Sequence, residues 1–256
     1  MDFEAAIEHY EAMVRAYLAS DDANALDEAL ARFVAPVNAA FVESADPEQA
    51  VETVLWAAWT ALVDAAEASA GPAQTRLAEL IVKISRQNVP ERADGRECRV
   101  WGLQVYADLP MFGAVMREEW DITFFSSAGP EAWTNLNAFA ARLTLAGEDF
   151  SNYGLWTLRD YLEEEKAASA ADLAVVAQWF TICGPLLAAH SAGGYGSDLG
   201  PPARVGALCA QQGITEGGFS PRRWQFWRDR LEAYAKGPDA AAAQAALAAF
   251  DRAASS

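Results

Sequence analysis

The chain has 256 residues, of which 52% are hydrophobic and 11% aromatic, with nine tryptophans beside two histidines and three cysteines. That length suffices for one large core or two close-packed lobes, and a formal charge of −17 argues against nucleic acid or an anionic membrane as the main partner. No apolar run is expected to reach bilayer length, the acidic opening MDFEAAIEHYEAMVRAYL lacks the form of a signal peptide, and the widely spaced Cys98, Cys183 and Cys209 fit a reducing, cytoplasmic setting.

Periodicity predicts helices nearly everywhere and no strand. Phe3, Ile7, Tyr10, Met13, Val14 and Tyr17 form a first stripe. Asp22 or Asn24 caps a second helix through Phe33, which Pro36 bends or restarts. Ser44 or Asp46, followed by Pro47, starts a third helix, and Gly71-Pro72 opens a fourth through Ile84. The polar stretch Asn88 to Glu97 is the best loop or lobe boundary. Beyond it fall seven of the nine tryptophans. Asp108 can cap a helix from about Pro110 to Trp120, Gly129-Pro130 opens one to about Gly147, and Asn152 caps one to Glu165. Ser169 or Asp172 caps a helix to His190, with Gly184-Pro185 as a kink. A glycine-rich loop from Ala192 to Pro202 follows, then a short helix near Val205 to Gln212 and a Ser220-Pro221 start for a helix to Tyr234. The last, alanine-rich helix has only Leu247 and Phe250 as large apolar residues, which predicts a frayed or loosely docked tail. The expected fold is an all-α, Trp-rich single domain of about ten helices. N-terminal helices occupy residues 1–88, the Trp-rich lobe 97–236 and the tail 237–256.

With only His9 and His190, no His-x-x-x-His pair exists, and no metal or cofactor is expected. Asp21-Asp22 lack the spacing of an aspartate-rich magnesium helix. No nucleophile elbow or phosphate loop is present, and the glycines at 193–200 follow a helix where a dinucleotide fingerprint needs a strand. Trp179, Cys183, Leu186 and His190 share one helix side, so His190 is either a helix-end histidine bonded to a carbonyl or the group suited to proton transfer near neutrality. Glu119 falls on the apolar side of its helix between Val115 and Met116, where burial would raise its pKa as a general acid needs; partial exposure or an arginine partner is the plainer alternative. Asn135 and Arg142 share a flank beside Phe139. Arg159 lies beside Trp156 with Glu163 one turn ahead, and Arg223 and Arg230 flank the Trp224/Trp227 stripe. Such arginines either stack on indole rings and tie helices together or clamp a substrate carboxylate. The tryptophans are core residues or the walls of an aromatic cavity.

The blocks VWGLQVYADLPMFGAVMREEWD, AWTNLNAFAARL, NYGLWTLRDYLE and SPRRWQFWRDRL resemble a group of fungal proteins known only as a domain of unknown function, over roughly residues 50 to 235. The pattern falls on Trp101, Leu109, Pro110, Phe112, Arg117, Glu118 and Trp120, then on Trp133, Asn135, Leu136, Asn137, Phe139 and Arg142. It continues on Trp156, Arg159, Glu163, Trp179, Trp224, Phe226 and Trp227, while AGGYGSDLGPP matches only by its glycines. The resemblance brings no activity. It implies a fungal source, an all-helical fold and a place near specialised-metabolite pathways.

Two functions stand after this reading. One is a binding or interaction protein with an aromatic-lined helical pocket for a small apolar or aromatic molecule, formed by Trp101, Trp120, Trp133, Asn135, Arg142, Trp156, Arg159 and Trp179. The other is a metal- and cofactor-independent isomerase, cyclase or lyase using His190 and Glu119 as acid and base. A protein partner or homo-oligomer stays open.

Overall fold

The computed structural model describes residues 1–125 and 129–255. Among them helices dominate, and the only strands are two antiparallel pieces of two residues each, β1 (Arg99–Val100) and β2 (Leu103–Gln104), with Arg99 opposite Gln104. The chain divides into two compact units, Met1–Leu136 and Asn137–Ser256. The polar stretch at 88–97 therefore lies inside the first unit, and the division falls within a helix.

The first unit contains α1 (Phe3–Ala19), α2 (Ala25–Glu43), α3 (Pro47–Glu67), α4 (Pro72–Ser85) and α5 (Phe112–Phe125). It ends in the opening turns of α6 (Pro130–Ala146). The starts follow the predicted signals: Asp46 accepts from the Gln49 amide, and Pro47 takes the first helical position, where no amide is needed. Pro36, expected to bend or restart the chain, lies inside the continuous α2. Proline removes the donor to the carbonyl four residues earlier, here Arg32. His9 Nε2 lies 3.0 Å from that oxygen and donates to it in the matching tautomer, so α1 supplies the bond that Pro36 withholds. A ladder of rings, Tyr10, Phe33, Trp59 and Phe112, with centroids 5.0–5.4 Å apart, forms the core of this unit.

The approach to α5 differs from expectation. Asp108 does not cap it; its carboxylate accepts from the Gln104 amide at 2.7 Å, and the helix begins at Phe112. Trp101, Tyr106, Leu109 and Met111 all have positive φ, a conformation that costs non-glycine residues energy and persists only where surroundings impose it. Burial of Tyr106, Leu109 and Met111, together with Trp59 Nε1 donating to the Pro110 carbonyl at 2.9 Å, imposes it here.

The second unit takes the rest of α6, then α7 (Ser151–Leu158), a π-helical turn (Arg159–Glu163), α8 (Ala170–Gly193), a 3-10 turn (Pro201–Ala203), α9 (Ala207–Gln211), α10 (Pro221–Tyr234) and α11 (Ala240–Ala254). Ser169 and Asp172 form a reciprocal capping box at the start of α8, and Cys183 leaves helical geometry (φ −125°) just before Gly184-Pro185, the predicted kink. With 24 residues and a mean hydropathy of 1.5 over an 18-residue window, α8 is long and apolar enough to cross a membrane, contrary to the expectation that no run is. Its Trp179, Phe180, Cys183 and Leu187 are instead buried within the unit.

The tail is not loosely docked. α11 packs along α8 and buries Ala243, Ala246, Ala249, Phe250 and Ala253. A Cβ on Gly184 would lie 2.5 Å from the Ala253 Cβ, so the two helices cross at a distance that only glycine against alanine permits. Counting large apolar residues undervalues a helix that docks by its small ones.

Candidate functional site

The second unit buries an ion pair completely. Glu163 and Arg223 are both wholly inaccessible, with Arg223 Nε 2.8 Å from Glu163 Oε1. The same oxygen accepts from Trp227 Nε1 at 2.7 Å, and Oε2 accepts from the Gly206 amide at 2.7 Å. Arg223 Nη1 donates to the carbonyls of Ala203 (3.1 Å) and Gly218 (2.6 Å), and Nη2 to that of Arg204 (3.4 Å). Gly206 is required, because a Cβ there would sit 2.6 Å from the Glu163 Cβ. The pair therefore pins the loop between α8 and α10 and serves as a structural tie. Its members are separated by 60 residues. Glu163, one turn ahead of Arg159 and a possible partner for it by spacing, does not pair with it: the π turn changes the angular step over 159–163, and Arg159 bonds Asp160 (2.9 Å) and the Pro202 carbonyl (3.4 Å).

Two further knots have the same character. Asn137 is wholly buried, and its Oδ1 accepts from Thr157 Oγ1 (2.7 Å) and Trp179 Nε1 (2.9 Å). In the first unit the buried Gln74 amide reaches the carbonyls of Ala66, Ser69 and Asn135, while Asn135 Nδ2 donates to the Glu67 carbonyl at 2.9 Å. The bonds to Ala66, Glu67 and Ser69 serve carbonyls at and just beyond the end of α3, where the helical ladder stops, and the bond to Asn135 ties α4 to α6. Half-buried Arg142 donates to the Ala138 carbonyl (3.1 Å), and burial lowers its guanidinium pKa. Trp156 bonds the Pro202 carbonyl (2.9 Å) and packs on Tyr153. Trp101 is 52% exposed, beside Trp56.

His190 lies at the end of α8, half-buried, stacked on Tyr195 at 4.1 Å and 5.6 Å from Phe219. Burial lowers its pKa against the opposing pull of Asp149, which favours the neutral imidazole near pH 7. Asp149 accepts from the Tyr195 hydroxyl and the Ser151 amide. Its partial burial is outweighed by the Ser151 and Tyr195 hydroxyls, the Ser151 amide and His190, so its carboxyl titrates below the ordinary range. The Ser151 hydroxyl is close enough to act on that carboxyl without making a well-formed hydrogen bond. The arrangement suits holding the glycine loop to α8, and its neutral imidazole can accept a proton. The thiols are poor nucleophiles, since burial pushes Cys98 and Cys183 up to about 12.

Glu119 belongs to the first unit and His190 to the second. Glu119 is half-buried, and its carboxyl is raised above the ordinary value by burial first and then by Asp64, Glu67 and Glu118. Because its folded pKa is raised, its stabilising contribution is complete below the unfolded value near 4.5 and is lost as pH rises through the folded pKa. Glu119→Gln should therefore raise the melting temperature at pH 7, with the gain shrinking to nothing below about pH 4. A gain that persists unchanged into acid would contradict this origin.

Near Glu119, rings run from the interior to the surface. Trp120 and Trp133, 5% and 9% exposed, meet edge to face at 4.5 Å. Phe124 lies 5.2 Å from Trp133 and 4.9 Å from Phe125, and Phe124, Phe125 and Ile122 are 43%, 80% and 52% exposed. Glu67 adjoins this cluster through Thr123, whose Oγ1 donates to its Oε1 at 3.1 Å. Phe124 and Phe125, which complete the exposed face, were not singled out by the sequence. Both fall in the short run ITFF at the end of α5, which a helical stripe does not distinguish from core.

Two clefts lie elsewhere in the first unit, the first of mixed and the second of polar lining. One of about 380 Å³ is lined by Arg92, Arg96, Glu97, Cys98 and neighbours, and another of about 410 Å³ by Tyr17, Asp21, Asp22, Arg76 and Glu79. Their arginines are committed: Arg92 bonds carbonyls at the end of α2 and Asp94, and Arg76 those of Tyr17 and Leu18. Among the described residues no group of three or more potential metal ligands occurs.

These features define an all-α, tryptophan-rich protein whose deepest polar groups serve its own architecture. The chain belongs to the family described as protein of unknown function (DUF3632), which matches residues 59–231. No curated protein matches the chain. Among solved structures, a designed armadillo repeat protein aligns at 16% identity over 97% of this chain and 85% of its own, with a TM-score of 0.24.

Proposed function

We propose that the protein is a non-catalytic binding protein whose contact face is the aromatic cluster at the end of α5 and the start of α6. The carrying observation is the run of touching rings from buried Trp120 and Trp133 through Phe124 to Phe125, which is 80% exposed. Contiguous exposed apolar surface of this kind marks contact sites more often than chance, and rigid rings present large area at low entropic cost. Support also comes from the saturation of Glu163, Arg223, Asn137 and Gln74 by protein groups, which favours structural roles over acid/base work. The ligand group is apolar or aromatic, and the free cysteines fit a cytoplasmic setting.

An uncharged fluorescent naphthylamine tests this. Titration should shift the emission of the probe and quench that of the protein. The Phe124→Ser/Phe125→Ser variant should weaken binding by about tenfold or more. Equal binding by the variant, or no binding by the native chain, would overturn the reading.

A further inference from the structure

The surroundings of the aromatic face bear on what it binds, an inference that rests on the binding function proposed above. Along α5, Glu118, Ile122 and Phe125 follow one another at helical spacing, and all three are exposed. Asp64 and Glu67 approach from α3, and their charges act on Glu119. Asp121 is paired with Arg117, but among the described residues Asp64, Glu67, Glu118 and Glu119 form no ion pair. The aromatic face is thus bordered by uncompensated carboxylates, on a chain whose net charge is already −17.

From this we infer that the face docks a cationic amphipathic helix of a partner protein, its apolar stripe on Phe124, Phe125 and Ile122 and its Lys or Arg residues against the acidic border. Charge selects this occupant over the others. A second copy of the chain would bring the same carboxylates against these, and an anionic membrane surface would repel them. A helix with apolar anchors on one face and cations beside them satisfies both halves of the surface. Opposite charge also steers encounter, so association should be fast and sensitive to salt.

The test uses the full chain and two labelled peptides of about 18 residues with one Leu/Trp stripe, one carrying lysines and the other glutamates on its polar face. Fluorescence anisotropy should show the basic peptide binding about tenfold or more tighter than the acidic one, and weakening as salt rises from about 0.05 to 0.5 M. Phe125→Ser should lose about tenfold or more; with the side chain exposed, the fold should be undisturbed. Glu67→Gln/Glu118→Gln should weaken the basic peptide while leaving the uncharged naphthylamine unaffected. Glu4→Gln/Glu8→Gln, on α1, should change little, which separates docking from general attraction to an acidic protein. If the naphthylamine binds but the two peptides bind equally, or Phe125→Ser leaves the basic peptide unaffected, the inference fails and the binding reading stands. If neither probe nor peptide binds, both fall. Self-association abolished by Phe125→Ser, or binding to anionic vesicles through this face, would also overturn the inference.

Discussion

Arg223→Met should lower the stability of the second unit by about 3–5 kcal/mol, read as a fall in the urea midpoint at unchanged slope. The guanidinium and the Glu163 carboxylate are both wholly buried at 2.8 Å. Removing one partner strands the other charge in a medium that solvates it poorly; the carbonyls of Gly218 and Arg204 lose their donor as well, while that of Ala203 keeps only the Gly218 amide. Glu163→Met/Arg223→Met should cost less than the two single changes together, because neither charge is then left alone. Additive losses in the double variant would show that the pair is not coupled as its geometry requires.

Asn137→Leu should cost about 2–4 kcal/mol, because two buried donors lose their acceptor at about 1–3 kcal/mol each. The donors, Trp179 Nε1 and Thr157 Oγ1, lie on α8 and α7, so one amide oxygen ties α6 to both. Denaturant melts followed by near-ultraviolet circular dichroism measure the loss. Trp179→Phe in the Asn137→Leu background should recover part of it by removing one stranded donor. A fully stable Asn137→Leu protein would mean that the two groups find other partners.

Helix starts were legible because their signals are local. Asp46-Pro47, Ser169 with Asp172 and Ser220-Pro221 each place a cap or a first-turn proline within three residues of the amide it serves. The features that failed depend on distant residues or on a changed helical step. Nothing near Pro36 announces that His9 supplies the missing bond to Arg32. The π turn at 159–163 rotates Glu163 away from Arg159, so a count at 100° per residue suggests a partner one turn away while the actual one, Arg223, lies 60 residues on. Of the candidate site, Trp120 and Trp133 were found as large rings at helical spacing. Their continuation to Phe124 and Phe125 depends on α5 ending beside the start of α6, which is tertiary information. His190 and Glu119 have the pKa directions of a histidine and a carboxyl losing water, as their helix positions imply.

The close crossing of α8 and α11 has a consequence for vectorial synthesis. α8 is complete at Gly193, whereas its cover begins at Ala240. At about 5–20 residues per second, a helix apolar enough to enter a lipid bilayer leaves the ribosome on the order of seconds before the alanine face that shields it. During that interval the nascent chain presents the kind of surface that targeting factors and chaperones recognise. The order of synthesis thus leaves α8 without its cover until Ala240–Ala254 has followed it.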